Sequence, residues 1–332
     1  MEPTWSTAEL GVLVPGDPPI HLQYFDTSPK PPSGAYTTLI LVHGTGFNSR
    51  IWYPCLPHLP PSMRVLAFNR RGYTGSSPAH ESSDPQPMDV EAFGRYVLDL
   101  LGFMRYAVDV LRVPPTPREG EVNKGGIVLL GWSKGCATII SLLSYLTSAF
   151  PSTSHPLPLP TPLAPYLPLL SSHLRSAILF EPPQMIFGLP GPAEYPELKG
   201  VPPGRLPEAF AQLLLGTIPE GKRAIVLQVE DEGGNRDIVT WHGRTAEERR
   251  AVCEIAFLAD VRVGTLYCAG TTFEPVVNGT KWVNAQYAAA GLDAAPRFAK
   301  GVVAGGNHFG MATDPEAFGR ALGEVLAQLE VE

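Results

Sequence analysis

Short runs of apolar residues, each bounded by turn-forming residues, alternate along the chain with longer segments of helical periodicity. The short runs are typical of strands that are buried on both faces, and the longer segments predict the helices that connect them. This alternation predicts an α/β fold with a mainly parallel central sheet and helices on both faces. The predicted strands are Ile20–Asp26, Thr37–His43, Arg64–Asn69, Gly126–Gly131, Arg175–Phe180, Gly264–Ala269 and Phe298–Ala304. The predicted helices are Met88–Val113, Ser133–Ala149, Lys281–Leu292 and Pro315–Leu329.

Residues 151–168 interrupt this alternation with a run of prolines. Proline favours an extended conformation and is excluded from the interior of a helix, so we predict a stiff surface insertion without a helix. A ligand for a proline-binding partner domain is the alternative, but no basic residues flank the segment.

Residues 182–262 form a second interruption, between two predicted strands, and contain helical patterns near Pro207–Leu215 and Thr245–Leu258. An excursion of this length from a sheet edge predicts a helical cap over the carboxyl ends of the strands. We therefore expect a core of residues 1–181 and 263–332 and a cap or lid subdomain at 182–262.

Composition supports a folded protein with a large core. Apolar residues make up 44% of the chain and charged residues 17%, and the 36 prolines and 33 glycines lie mainly in predicted connections. The net charge of −7, without a block of like charge, argues against a nucleic-acid partner. We expect a small-molecule substrate, and the sequence leaves the oligomeric state open.

The cysteines and the N-terminal residues bear on metal binding and location. Cys55, Cys136, Cys253 and Cys268 lie far apart and show no metal-ligand spacing, so we expect reduced thiols and no metal. Residues 1–10 lack the basic start and apolar core of a secretory signal, and no apolar stretch is long enough to span a membrane. These features predict a cytoplasmic protein without a membrane partner.

A nucleophile elbow is the strongest chemical signal in the chain. The sequence Gly-Trp-Ser-Lys-Gly at residues 131–135 follows a predicted buried strand and opens an apolar helix. In such a sharp turn the residues two before and two after the nucleophile must lack side chains, while the serine hydroxyl is lifted clear of the backbone. We therefore predict that Ser133 is a nucleophile and regard simple helix capping as the weaker alternative.

With this elbow and three further motifs, the chain resembles the α/β-hydrolase superfamily over nearly its whole length. Residues 43–47, His-Gly-Thr-Gly-Phe, are similar to the family's HG motif, and residues 69–77 are similar to its D-x-R-G-x-G-x-S turn, with Asn69 in place of Asp. His308 lies beyond the last predicted strand, where the family keeps its catalytic histidine. The resemblance implies an α/β-hydrolase fold with a cap and an enzyme of the serine-nucleophile branch.

A dinucleotide-binding interpretation of the same glycines fails on two positions. Gly44 and Gly46 fit the start of G-x-G-x-x-G, but position 49 is Ser, and the next predicted strand ends with Asn69 instead of an acid. We therefore expect no cofactor.

Two residues are candidates for the acid of a catalytic triad in which His308 activates Ser133. The commonest family arrangement places an Asp after the strand Gly264–Ala269, but that position is Phe273, so Glu274 would act from one residue further along. The alternative is Glu181, after the strand Arg175–Phe180, where lactonases similar to zearalenone-degrading enzymes take their acid. We favour Glu181, because the two prolines that follow would hold its carboxylate rigidly.

Backbone N–H groups are suited to bind the oxyanion of a tetrahedral intermediate, and the elbow and the turn after His43 predict those of Lys134 and Thr45. His43 is expected to orient this turn. The remaining candidates for substrate contacts are the loop glycines and nearby aromatic residues, namely Gly44, Gly46, Phe47, Trp132, Phe187 and Trp241.

The predicted function is hydrolysis of an ester, lactone or thioester of a moderately apolar small molecule through Ser133, His308 and Glu181. An acyltransferase, a C–C bond hydrolase or a lyase or cyclase of natural-product metabolism would use the same triad and remains an alternative. A noncatalytic ligand-binding protein of the same fold is a more distant one.

Overall fold

A computed structural model describes residues 3–28, 36–79, 90–117, 124–146, 159, 161–189, 200–202, 205–227, 231, 246–257, 259–294 and 296–330. Among these residues, no helix combines the length and the apolar character needed to cross a membrane.

One mainly parallel sheet organises the molecule. Its eight strands lie in the order β1-β2-β4-β3-β5-β6-β7-β8. The β1–β2 and β2–β4 pairs are antiparallel, and every other neighbouring pair is parallel. The strands are β1 (Thr4–Gly11), β2 (Ile20–Asp26), β3 (Thr37–Val42), β4 (Met63–Phe68), β5 (Ile127–Trp132), β6 (Leu174–Phe180), β7 (Arg262–Cys268) and β8 (Phe298–Val303).

Helices cover both faces of this sheet, and 3-10 helices span Ser49–His58, Ala164–Tyr166 and Gln184–Phe187. The α-helices described are α1 (Val90–Asp109), α2 (Gly135–Ser144), α3 (Leu167–His173), α4 (Leu206–Gly216), α5 (Glu220–Leu227), α6 (Ala246–Ala256), α7 (Glu274–Ala289), α8 (Gly310–Thr313) and α9 (Pro315–Leu329).

Side chains that alternate along β3 show how the two faces are filled. Ile40 and Val42 lie in a buried cluster with residues of α1 and α2, whereas Leu39 and Leu41 lie in a second cluster with residues of α9. Because successive side chains of a strand point to opposite faces, a strand between two helical layers must be apolar throughout. The unbroken apolar runs of the sequence therefore follow from the burial of both faces of the sheet under helices.

The seven predicted strands are present, with ends displaced by at most two residues. The pattern missed β1, because this edge strand is largely exposed and carries no apolar run. The 3-10 helix Ser49–His58, which contains Pro54 and Pro57, was also missed, since prolines argue against any helix.

The helix predictions need three corrections. Helix α2 begins at Gly135 instead of Ser133, because Ser133 occupies the turn before it. Helix α7 begins at Glu274 instead of Lys281, since Pro275 is tolerated in a first helical turn. The expectation that residues 151–168 exclude a helix was wrong at its end, where Pro165 and Pro168 occupy the first turns of short helices. Residues 151–158 and 160 lie outside the described part of the chain.

Helices α4, α5 and α6 follow β6 and precede β7, where the cap was expected. Residues of α6 belong to the same buried cluster as α2, and residues of α4 belong to the cluster on the other face of the sheet. The assignment of residues 182–262 to a cap subdomain, and of 1–181 and 263–332 to a core, stays a prediction.

Gly279 provides a test of the packing of α7. A Cβ at this position would lie 2.1 Å from the carbonyl oxygen of Pro182 and 2.8 Å from the backbone nitrogen of Gln184. We expect Gly279→Ala to lower the free energy of unfolding by ~1–3 kcal/mol, because the backbone after β6 must move. Gly323→Ala in α9 is the matched control: its Cβ meets nothing within 4 Å, so it should stabilise by ~0.5–1 kcal/mol. Equal stability of both variants in chemical denaturation would contradict this packing.

Candidate active site

Ser133 occupies a strained turn between β5 and α2. Its φ angle is 52°, in the left-handed region. A Cβ on Gly131 would lie 2.7 Å from the backbone nitrogen of Cys136, and one on Gly135 would lie 2.2 Å from the carbonyl oxygen of Val42. Both glycines are therefore required for steric reasons, and the turn places Ser133, 9% exposed, at the carboxyl edge of the sheet.

Glu181 follows β6 in a second left-handed turn, with φ 54°. Its carboxylate is fully buried and accepts three hydrogen bonds. Oε1 accepts from the N–H of Cys268 at 2.6 Å, and Oε2 accepts from the Thr271 hydroxyl at 2.7 Å. Oε2 also lies 3.1 Å from Nδ1 of His308. A buried carboxylate needs such donors, and they fix its orientation.

His308 lies in the connection between β8 and α8 and is 1% exposed. The indole N–H of Trp132 donates to its backbone carbonyl at 2.8 Å. Its ring centroid lies 5.3 Å from that of Trp132 and 5.5 Å from that of Phe273. With Nδ1 facing a carboxylate, the imidazole carries its proton there and leaves Nε2 as the acceptor.

Ser133 and His308 line one small cavity of about 10 Å³, room for about one water molecule. Its walls are mainly apolar. The other lining residues are Thr45, Trp132, Pro183, Met185, Phe210, Leu214 and Phe273.

The loop after β3 passes directly beside the elbow. A Cβ on Gly44 would lie 2.9 Å from the ring of Trp132 and 3.0 Å from the Cβ of Ser133. Gly46 has a φ angle of 84°, and Thr45 between these glycines faces the cavity. Lys134 follows Ser133 at the start of α2 and is buried.

His43 and Asn69 hold this loop through polar contacts. Nδ1 of His43 lies 2.9 Å from the carbonyl of Gly44, and its Nε2 accepts from the N–H of Arg70 at 3.0 Å. Asn69 accepts from the N–H of Ser49 at 2.9 Å and donates to the carbonyl of Thr74 at 2.8 Å. An aspartate could not make the second contact, which accounts for Asn at this position.

Several predicted site residues lie elsewhere. Glu274 is exposed in the first turn of α7 and accepts from Asn278 at 3.4 Å, so Glu181 is the candidate acid that contacts His308.

Phe47 and Phe187 were expected in the pocket, but both are buried in the core. Phe47 packs 5.1 Å from Phe309, and Phe187 packs 5.0 Å from Trp282. Trp241 lies outside the described residues.

The sequence interpretation missed most of the cavity wall. Met185, Phe210, Leu214 and Phe273 belong to no motif, and their apolar character is equally typical of core positions. The sequence interpretation also gave no role to Thr271, although its hydroxyl contacts the carboxylate of Glu181.

Two buried thiols lie close to the site. Burial, reinforced by the negative charge of Glu181, raises the pKa of Cys136 and of Cys268. The Cys136 thiol donates to the carbonyl of Gly131 at 2.9 Å. In the described part of the chain, His, Cys, Asp and Glu side chains form no group suited to hold a metal ion.

Comparisons with known proteins agree with the α/β-hydrolase fold described above. A model of the alpha/beta hydrolase family matches residues 39–321. Pimeloyl-[acyl-carrier protein] methyl ester esterases from Legionella pneumophila strains Corby and Paris are 36% and 35% identical to the chain over 63 residues. These matches span 19% of this chain and only 23% of each esterase.

Solved structures share the fold over almost the whole chain. A bromoperoxidase from Bacillus anthracis superposes with a TM-score of 0.61 at 17% identity, covering 98% of this chain and 100% of that one. The 2-hydroxy-6-oxo-6-phenylhexa-2,4-dienoate hydrolase from Rhodococcus sp. strain RHA1 gives 0.61 at 16% identity, with 98% and 99% covered. A thermophilic esterase from Thermogutta terrifontis gives 0.57 at 14% identity, with 99% and 100% covered.

The four cysteines are buried thiols outside any disulfide bond, which leads to a prediction about thiol reactivity. Thiolates are the reactive species, so inaccessible thiols should be inert, and burial also raises the pKa of Cys55, Cys136 and Cys268. In native protein at pH 8, we expect no thiol to react with a disulfide reagent during the time in which free glutathione reacts completely. After unfolding in guanidinium chloride all four should react. Rapid reaction of a native thiol would contradict the burial of these side chains.

Proposed function

The chain belongs to the alpha/beta hydrolase family, and on that premise we propose that it is a serine hydrolase acting on a carboxylic ester, lactone or thioester. The hydrogen bond between His308 and the buried carboxylate of Glu181 carries this proposal. It orients the imidazole of a histidine that shares a cavity with Ser133. A nucleophile, a base and an orienting acid are the parts that acyl transfer requires.

The proposed reaction proceeds in two halves. The Ser133 hydroxyl attacks the substrate carbonyl while Nε2 of His308 takes its proton, and Glu181 stabilises the imidazolium. The tetrahedral intermediate then collapses, and His308 returns the proton to the departing alcohol or thiol. Water, activated by the same imidazole, hydrolyses the acyl-enzyme and releases a carboxylic acid and free Ser133.

We propose the backbone N–H groups of Thr45 and Lys134 as donors to the oxyanion. Lys134 directly follows the proposed nucleophile, and Thr45 lies in the loop whose Gly44 approaches Ser133 so closely that an added Cβ would lie 3.0 Å from the serine Cβ. Such donors act without reorganisation and commonly contribute about two to three orders of magnitude to the rate.

The walls of the cavity support a moderately apolar substrate. Met185, Phe210, Leu214 and Phe273 surround Ser133 with aliphatic and aromatic groups. Phe210 and Leu214 come from α4, which also supports the proposal that residues 182–262 form a cap over the site. The Legionella relatives are methyl ester esterases by name, which favours a carboxylic ester among the three substrate classes.

A fluorophosphonate probe tests the nucleophile. We expect wild-type protein to be labelled on Ser133 and to hydrolyse p-nitrophenyl esters, and Ser133→Ala to do neither. Absence of both labelling and Ser133-dependent turnover across several acyl chain lengths would rule out the proposed function.

Two glutamine variants test the acid. Glu181→Gln should lower kcat by about three to four orders of magnitude, because an amide can hold the imidazole in the wrong tautomer. Glu274→Gln, at an exposed position, is the matched control and should change kcat less than about two-fold. The reverse pattern, measured as steady-state ester hydrolysis, would assign the acid to Glu274.

Phe210 tests the proposed apolar wall. We expect Phe210→Ala to raise kcat/KM for p-nitrophenyl octanoate relative to the acetate by about ten-fold, since removing the ring makes room for methylene groups. Phe210→Trp should shift the preference towards the acetate. An unchanged ratio of the two esters in both variants would place Phe210 outside the acyl pocket.

A further inference from the structure

The loop at residues 43–48 carries Thr45, and the core holds this loop from one side. The guanidinium of Arg70 donates to the carbonyl of Gly44 at 2.8 Å. The N–H of Gly46 donates to the hydroxyl of Tyr73 at 3.2 Å. Backbone groups on both sides of Thr45 are therefore fixed against the turn that follows β4.

Asp231 holds the same loop through a different set of contacts. Its N–H donates to the carbonyl of Gly46 at 2.8 Å. Its Oδ2 accepts from the side-chain amide of Asn48 at 3.2 Å and from the N–H of Thr74 at 3.1 Å. Asp231 is only 7% exposed. Since a buried carboxylate is costly without donors, these contacts stabilise both the carboxylate and the two turns it joins.

The position of this loop matters because it lies against the nucleophile. Gly44 is so close to Ser133 that an added Cβ would lie 3.0 Å from the serine Cβ. A displaced loop would change the distance from the Thr45 N–H to the developing oxyanion. Oxyanion donors act at about 2.7–3.1 Å, and a catalytic group must be held to within about 0.5 Å.

We infer that Asp231 is a positioning residue that fixes the oxyanion loop from the segment between β6 and β7. This inference rests on the proposed function, in which the Thr45 N–H binds the oxyanion. Asp231 lies far from Ser133 and His308 in the sequence, and none of the contacts described above joins it to either residue. Its proposed role in catalysis is therefore to hold the loop that carries Thr45.

The test compares Asp231→Ala with Asp231→Asn. The Asn48 amide and the N–H of Thr74 donate to the same oxygen, Oδ2. The amide oxygen of Asn can replace Oδ2 in these two contacts, whereas Ala removes them. We expect Asp231→Ala to lower kcat about 10- to 100-fold with KM changed less than about two-fold. Its affinity for a boronic acid that forms a tetrahedral adduct on Ser133 should fall by a similar factor. Asp231→Asn should retain most of the wild-type kcat and most of the affinity for the boronic acid.

Two further variants complete the test: the first controls for a loss of stability, and the second removes the contact to Asp231 from the side of the loop. Asp17→Ala removes the Asp17–Arg95 ion pair, 2.7 Å long and outside the cavity lining. It should lower stability and leave kcat per titrated active site and boronic acid affinity unchanged. Asn48→Ser retains an acceptor for the N–H of Arg50 but is too short to reach Asp231. It should lower kcat about three- to ten-fold, so the inference remains testable if Asp231→Ala does not fold.

The outcomes separate this inference from the proposed function. Unchanged kcat and boronic acid affinity in Asp231→Ala, with normal fluorophosphonate labelling, would overturn the role of Asp231 alone. Equal losses in Asp231→Ala and Asp231→Asn would also overturn it, because charge and not hydrogen-bond acceptance would then matter. Absence of Ser133 labelling in the wild-type protein would overturn the proposed function itself.

Discussion

The hydrogen bonding that joins β5, β6 and β7 continues for one residue beyond the strands, and the candidate site depends on this extension. The N–H of Ser133 donates to the carbonyl of Phe180, and the N–H of Glu181 donates to the carbonyl of Leu266, both at 3.0 Å. Both residues also adopt left-handed backbone conformations, which cost about 1–3 kcal/mol each. The register of three parallel strands therefore holds Ser133 and Glu181, the proposed nucleophile and acid, in strained turns at neighbouring positions.

The proposed acid, Glu181, follows β6, and this changes what the loop after β7 has to supply. The Glu181 side chain extends towards β7, where its carboxylate accepts from the N–H of Cys268 and from Thr271. Neighbouring strands lie about 4.8 Å apart, a span suited to the longer side chain of Glu. Phe273, at the position where the resemblance implies an acid, instead places its ring against His308. The loop thus contacts both the proposed acid and the proposed base.

The sequence predicted those parts of the site that depend on local geometry. An elbow with glycines two residues either side of Ser133, and a glutamate followed by two prolines, are recognisable because each pattern lies within a few residues. The cavity wall was not predictable, since an apolar side chain such as Phe47 satisfies a core and a pocket equally well. Asp231 was not predictable either, because its partners lie in turns remote in the sequence and no local pattern marks them.

Charge conservation explains how so buried a site supports the proposed chemistry. Glu181 is fully buried and His308 nearly so, so an uncompensated change of charge there would be costly. In the proposed acylation the proton moves from Ser133 to His308 while the negative charge moves to the substrate oxygen, so the site keeps the single negative charge of Glu181. The nearby thiols of Cys136 and Cys268 add none, because burial and the carboxylate itself raise their pKa values. What changes during the reaction is the position of charge, and fixed donors at the loop and the elbow can stabilise that change without solvent.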